Sequence, residues 1–185
     1  MPEGTQVLRQ EHEAILKMIG AAEEVARRLE RNEAVRQEML ANILEFFRVF
    51  ADQCHHFKEE ELLFPLLESK GLPREGGPTG VMLAEHEQGR QLIREMSAAV
   101  EAYSTNVSEA GLRWAQAAKG YAALLGGHIF KENNVLFRIA EQMLTPAEQA
   151  TLAEGFEKLE VEKMGAGTHE RLHTKMHTLL AELAV

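Results

Sequence analysis

Cysteine is almost missing from this sequence: Cys54 is the sole thiol. That excludes an internal disulfide framework, and any Cys-based zinc or iron–sulfur site within one chain. Basic residues are in deficit. Lys and Arg number 20 against 29 Asp and Glu, for a net charge of −9. Binding to nucleic acid through phosphate neutralisation is therefore disfavoured. No run of 18 apolar residues occurs, so no membrane span is expected. The first 19 residues carry Glu3, Arg9, Glu11, Glu13 and Lys17, which interrupt any signal-peptide apolar core. A cytoplasmic protein with no nucleic-acid or membrane partner, monomeric or homodimeric, is the expectation. Tryptophan and tyrosine are also scarce, at one and two residues, whereas histidine occurs eight times. With 45% hydrophobic residues, the 185-residue chain can build the core of one ordinary domain.

The punctuation divides the chain into long segments. Gly71 to Gly80 is rich in glycine and proline, Ser104 to Ser108 is polar, and Asn32 marks a weaker break. Thr145-Pro146-Ala147-Glu148 has the form of a capping box that starts a helix. Between these breaks the apolar residues follow a helical period. Leu8, His12, Ile15, Leu16 and Ile19 share a face in the first segment, 5–31. The second segment, 33–69, carries Leu40, Leu44, Phe47, Ala51, Cys54 and Leu62-Leu63-Phe64. The third, 78–103, carries Met82, His86, Ile93 and Met96. The fourth, 107–143, carries Tyr121, Leu124, Leu125, His128, Val135, Leu136 and Ile139. No strand-like alternation competes. The pattern predicts an all-α protein: an up-down-up-down four-helix bundle over 1–144, with a helical extension over 145–185 packed on the bundle or on a partner subunit.

The histidines fall on the faces assigned to the bundle interior. His12, His86 and His128 each occupy such a position. Two helices add a carboxylate one turn later, in His55-x-x-x-Glu59 and His128-x-x-x-Glu132, and an i, i+4 pair projects from one helix face. The two segments are also alike. His, Phe, Lys, Glu, Leu and Phe coincide when residues 55–64 are laid over 128–137, which suggests two related half-sites. A buried carboxylate needs a compensating charge, and a metal ion supplies one. Imidazole and carboxylate without thiolate suit iron, manganese or zinc. Four histidines and two glutamates exceed one tetrahedral zinc and suit two ions bridged by carboxylates. His56 and Glu60 have the same i, i+4 spacing, so the ligands on the second helix stay ambiguous. The repeat favours His55 and Glu59, leaving His56 as a surface residue or a partner of a ligand.

The ordered set His12, His55-x-x-x-Glu59, His86, His128-x-x-x-Glu132 resembles the hemerythrin-like (HHE cation-binding) family. The matching elements span residues 8–140 and include Leu63-Phe64-Pro65, Met82-Leu83-Ala84-Glu85-His86-Glu87 and Leu136-Phe137. Gly77-Pro78 and Asn133-Asn134 are similar to the bacterial di-iron proteins implicated in iron–sulfur-cluster repair, without a counterpart of their small cysteine-bearing N-terminal domain. The resemblance implies two iron ions, oxo- or hydroxo-bridged, held by His12, His55, Glu59, His86, His128 and Glu132. Zinc or manganese are further occupants to consider. It also implies a non-haem di-iron protein that binds or reacts with O2, peroxide or nitric oxide, or a non-enzymatic iron-binding or sensing module. Oxygen-carrying hemerythrins have a second histidine one turn away on the third helix. Met82 and Arg90 stand four residues to either side of His86 here, so one ion is expected to lack a nitrogen ligand.

Other residues near the ligands carry less. Glu11, Glu13, Glu60, Glu61, Glu85 and Glu87 are expected mostly as solvated charges, Tyr121 as a core aromatic and Cys54 as a buried apolar residue. His169, His173 and His177 share one face of the last helix. Their favoured reading is packing of Leu172, Met176, Leu179, Leu180 and Leu183, with the histidines at the boundary; a second metal site or a lid is the alternative.

Overall fold

The computed structural model of the chain describes residues 3–103 and 107–184. The described residues form helices and connecting turns, with no strand among them. Helix α1 is Gly4–Glu30. Asn32 turns the chain in the left-handed region, with φ of 56°, residues 33–36 are not helical, and Arg36 is extended. The second helix therefore starts at Gln37 rather than at 33. It runs over 37–69 as α2, and α3 is Pro78–Ala102. Helix α4 spans 107–143, α5 is Pro146–Met164 and α6 is Thr168–Leu183. The expected break at Ser104 to Ser108 falls largely outside the described residues. The Thr145 capping box forms as its sequence requires: the hydroxyl accepts from the Glu148 backbone, and the Glu148 carboxylate accepts from the Thr145 backbone.

Two of the four long helices are not regular α-helices. In α2 the stretches Phe46–His56 and Glu59–Leu63 are π-helical, and in α4 the stretch Glu132–Leu136 is. The π segments at Glu59 and Glu132 begin at equivalent positions of the internal repeat. An i→i+5 turn holds more residues than an α turn, so it reduces the angle between neighbouring side chains. Along Phe46–His56 this lets the consecutive residues His55 and His56 both face inward, at 1% and 2% exposure. The same winding displaces Val135, which α-helical periodicity places inside and which is exposed. On α1 it is Ile15 that takes the inward place, leaving Leu16 exposed.

The interior is divided. One apolar cluster contains Ile15, Ile43, Phe47, Phe50, Ile93, Trp114, Tyr121 and Leu125. A second contains Leu8, Leu63, Phe64, Met82, Leu136, Phe137 and Phe156. On every bundle helix the buried histidines and glutamates lie in sequence between the members of these clusters. Leu8 precedes His12, which precedes Ile15. Ala51 precedes His55 and Glu59, which precede Leu63. The order repeats with Met82, His86 and Ile93, and with Leu125, His128, Glu132 and Leu136. The core is thus apolar at both ends with a polar layer across its middle.

The C-terminal helices pack on α1 and α2. Leu172, Met176, Leu179 and Leu183 join the first apolar cluster, while Leu152 and Phe156 join the second. Ion pairs of Glu45 with Arg171 and Lys175, at 2.8 and 2.7 Å, fasten the surface of α6. Such exposed pairs add little beside the apolar burial.

The turn before α3 sets where His86 enters the core. Gly77 is the N-cap of α3, and a Cβ there would meet the Pro73 carbonyl oxygen at 1.7 Å. Gly77→Ala is expected to cost roughly 1–3 kcal/mol through forced backbone movement, seen as a Tm lowered by several degrees. Gly20 in α1 has nothing near its Cβ position. Gly20→Ala should instead raise stability by about 0.5–1 kcal/mol, measured in the same thermal denaturation.

Candidate metal centre

Seven polar side chains from four helices meet in the central layer. The ligand atoms of His12, His55, Glu59 and Glu132 lie within 4.8 Å of one another. Those of Glu59, His86, His128 and Glu132 do so as well, and so do those of His56, His86 and His128. The two glutamates belong to both four-residue groups, so they form the seam between two histidine sets. His12 Nε2 is 3.1 Å from Glu132 Oε2, and His128 Nε2 is 3.2 Å from Glu132 Oε1. Glu59 reaches His55 Nε2 at 3.7 Å and His86 Nε2 at 3.5 Å. The six expected ligand residues are all brought together and are at most 1% exposed. His56 is a seventh. It is buried rather than on the surface, and its ring stacks on that of His86 at 3.9 Å.

Each histidine is held from behind. His12 Nδ1 donates to Asn133 Oδ1 at 2.9 Å, and His55 Nδ1 to Glu11 at 2.8 Å. His86 Nδ1 donates to Glu60 at 2.7 Å, and His128 Nδ1 to Glu85 at 2.9 Å. His56 Nδ1 makes the longest of these contacts, with Asp52 at 3.4 Å. An outward N–H on Nδ1 leaves the Nε2 lone pair for the centre, which is the tautomer a metal ligand needs. Lysine and arginine hold the carboxylates in turn. Lys58 pairs with Glu11, Lys131 with Glu85, and Arg90 with Asp52 at 2.9 Å and Glu60 at 2.6 Å. Three of the flanking glutamates expected as solvated charges, Glu11, Glu60 and Glu85, thus anchor ligands. Their one sequence trace is a repeated dipeptide, Glu11-His12 on α1 and Glu85-His86 on α3, with each glutamate bonded to a histidine of α2 or α4.

The electrostatics describe a site short of positive charge. Burial, and then the neighbouring His12, push His55 down to about 4. Burial followed by His86 lowers His56 to about 3, and burial followed by His128 lowers His86 to about 3. These imidazoles are neutral at pH 7. Burial and the Glu132 charge raise Glu59 well above its ordinary value. Burial would raise Glu132 too, but His128 and His12 hold it well below its usual value. Burial opposes the charge on His128, yet the Glu132 carboxylate beside it raises its pKa. Both oxygens of Glu59 and of Glu132, with Nε2 of His12 and of His55, have no hydrogen-bond partner among the described residues. His86 Nε2 and His128 Nε2 face each other at 3.1 Å. Two lone pairs cannot meet at that distance, so a proton or a cation must lie between them. Orphaned buried acceptors of this kind are costly, and cations satisfy all of them together.

The profile of the hemerythrin HHE cation-binding domain matches residues 3–140. The chain belongs to this family. Uncharacterised proteins of Mycobacterium bovis and Mycobacterium tuberculosis are each 25% identical to it over 178 residues, covering 96% of this chain and 69% of theirs. A hemerythrin-type domain with these His/Glu clusters fits a metal-binding module. No helix among the described residues is long and apolar enough to cross a membrane.

Outside the centre, Tyr121 is fully buried and packs on Phe47 at 4.5 Å. Burial pushes the Cys54 thiol up to about 12, so it remains a thiol. On α6, His169 and His173 lie over the Phe50 ring at 5.1 and 5.3 Å, and His177 is exposed. One ligand atom each of Glu11, Glu160 and His169 lies within 4.8 Å of the others. The Lys58 ammonium already bonds both of those carboxylates, so the positive charge is supplied there.

The pKa directions fix how metal affinity depends on pH. Glu59 and His128 both have raised values in the metal-free fold, and each must give up its proton to ligate. Protons therefore compete, and affinity rises with pH. Calorimetric titration of the metal-free protein in buffers of different ionisation enthalpy should show proton release on binding. No release at pH 6 would contradict these protonation states.

Proposed function

We propose that this chain is a non-haem di-iron protein that binds or reacts with O2, peroxide or nitric oxide. The observation that carries the reading is the pair of shared carboxylates. Glu59 and Glu132 each face both histidine sets, so two ions and not one account for the seven side chains. One ion would take His12 and His55. The other would take His86 and His128, with His56 as its third imidazole. In this reading His56 supplies, from α2, the nitrogen that Met82 cannot supply from α3; Met82 is packed in the apolar cluster instead. Imidazole and carboxylate donors without thiolate suit iron, with zinc and manganese as competitors. Two iron ions would supply a redox-active pair for a small oxidant.

The protein's own part is selection and orientation. The ligand residues are sealed between the apolar clusters, with Phe137 stacked on His12 at 5.4 Å and Phe64 on His86 at 5.9 Å. Such complete burial favours a small molecule, such as a diatomic gas or peroxide, over a bulky organic substrate. A surface depression of about 580 Å³, lined by Arg9, His12, Asn133 and Arg138, adjoins the His12 side. The Nδ1 anchors keep the imidazoles aimed while charge in the centre changes.

Metal analysis after anaerobic iron loading tests this directly. The wild type should hold two ions per chain. His55→Ala and His128→Ala should each lose one ion, and Glu132→Gln should weaken both. Loss of an outer partner typically costs roughly 10–100-fold in affinity, and loss of a ligand should cost at least as much. Zero or one ion in the wild type would sink the proposal. Two ions without any reaction with peroxide, oxygen or nitric oxide would leave a non-enzymatic iron-binding module.

A further inference from the structure

The outer partners of the centre repeat across the internal pseudo-symmetry. On one side His55 Nδ1 donates to Glu11, which is paired with Lys58. On the other, His128 Nδ1 donates to Glu85, which is paired with Lys131. Each lysine stands three residues after its histidine. The two sides differ in what lies beyond the lysine. Lys131 is 42% exposed, whereas Lys58 is 2% exposed. The Lys58 ammonium makes a further bond to Glu160 Oε2, at 2.8 Å, and Cys54 Sγ lies 3.8 Å from that same oxygen. Glu160 is on α5, beyond the span 3–140 that the family profile matches.

We infer that Glu160 is a positioning residue for one half of the metal centre, acting through Lys58 and Glu11 on His55. The inference rests on the di-metal reading above. Its physical basis is a chain of charge-assisted bonds that crosses from the appended helices to a ligand. A cavity of about 270 Å³, lined by Glu11, Lys58, Glu160, His169 and His173, adjoins the ammonium. Lys58 is itself buried, and this cavity is the space beside it into which its ammonium can turn once a bond is lost. With Glu160 replaced by glutamine, the ammonium loses one of its two carboxylates and is freed to turn into that cavity. Glu11 then loses its outer anchor, and the His55 ring loses the partner that sets its tautomer and angle. The His128 half has no such dependence on α5 or α6, since neither helix supplies a partner to Lys131.

The test uses the full chain loaded anaerobically with iron-57. Metal loss to a chelator and the Mössbauer spectrum are recorded for the wild type, Glu160→Gln, Lys131→Gln and Glu45→Gln. In Glu160→Gln one ion should leave roughly 10–100-fold faster, and one of two spectral components should shift. Lys131→Gln should shift the other component. Glu45→Gln removes the ion pairs of Arg171 and Lys175, loosening α6 without touching the chain, and should leave both components as in the wild type. Unchanged kinetics and spectrum in Glu160→Gln, with two ions in the wild type, would overturn the inference. A Glu45→Gln spectrum like that of Glu160→Gln would overturn it too, by showing general loosening. A wild type without two ions would overturn the di-metal reading and this inference with it.

Discussion

Two carboxylates face each other in the middle of this bundle, and the rest of the structure is arranged around that fact. Glu59 and Glu132 are fully buried and none of their four oxygens has a hydrogen-bond partner among the described residues. Like charges so close, in a region of low dielectric, cannot both ionise unaided. In the metal-free fold the strain raises the pKa of Glu59, through burial and the Glu132 charge, and that of His128, through the Glu132 carboxylate. In the proposed working state cations relieve that strain. Burial keeps His55, His56 and His86 neutral, so they offer lone pairs instead of competing charge. The apolar clusters at either end keep water from relieving the situation, while making the bundle stable enough to tolerate it.

The second organising feature is repetition with a difference. Residues 55–64 and 128–137 each provide a histidine, a lysine and a glutamate, and each glutamate starts a π turn. Facing them, Glu11-His12 and Glu85-His86 provide a histidine and an anchor for the other pair. The copies diverge at two points. The π-helical stretch Phe46–His56 has no counterpart before His128 and brings in His56. The C-terminal helices cover Lys58 and leave Lys131 in solvent. Both divergences make the two halves of the centre chemically unequal.

Much of this was legible in the sequence because two periodicities coincide. The apolar stripe of each helix identifies the interior, and His12, His86, His128 and the two His-x-x-x-Glu pairs fall on it. The all-α bundle, the family and the gathering of those six residues follow from that coincidence. The role of His56 did not. An α-helical wheel points consecutive residues in different directions, and only the wider π turn lets His55 and His56 face in together. Nor did the anchors Glu11, Glu60 and Glu85 emerge, because a glutamate beside an interior histidine has the sequence signature of a solvated charge. Its partner is set by the distance between helices. Lys58 and Glu160 are separated by 102 residues, and nothing local in either segment announces their contact.

The central claim is that Glu59 and Glu132 are shared by two metal ions. Anomalous diffraction from crystals of the iron-loaded protein, collected on both sides of the iron edge, addresses it most directly. The account predicts two anomalous peaks flanking the Glu59 and Glu132 carboxylates, one toward His12 and His55 and the other toward His56, His86 and His128. A single peak in the bundle, or iron found only beside Glu160 and His169, would contradict it.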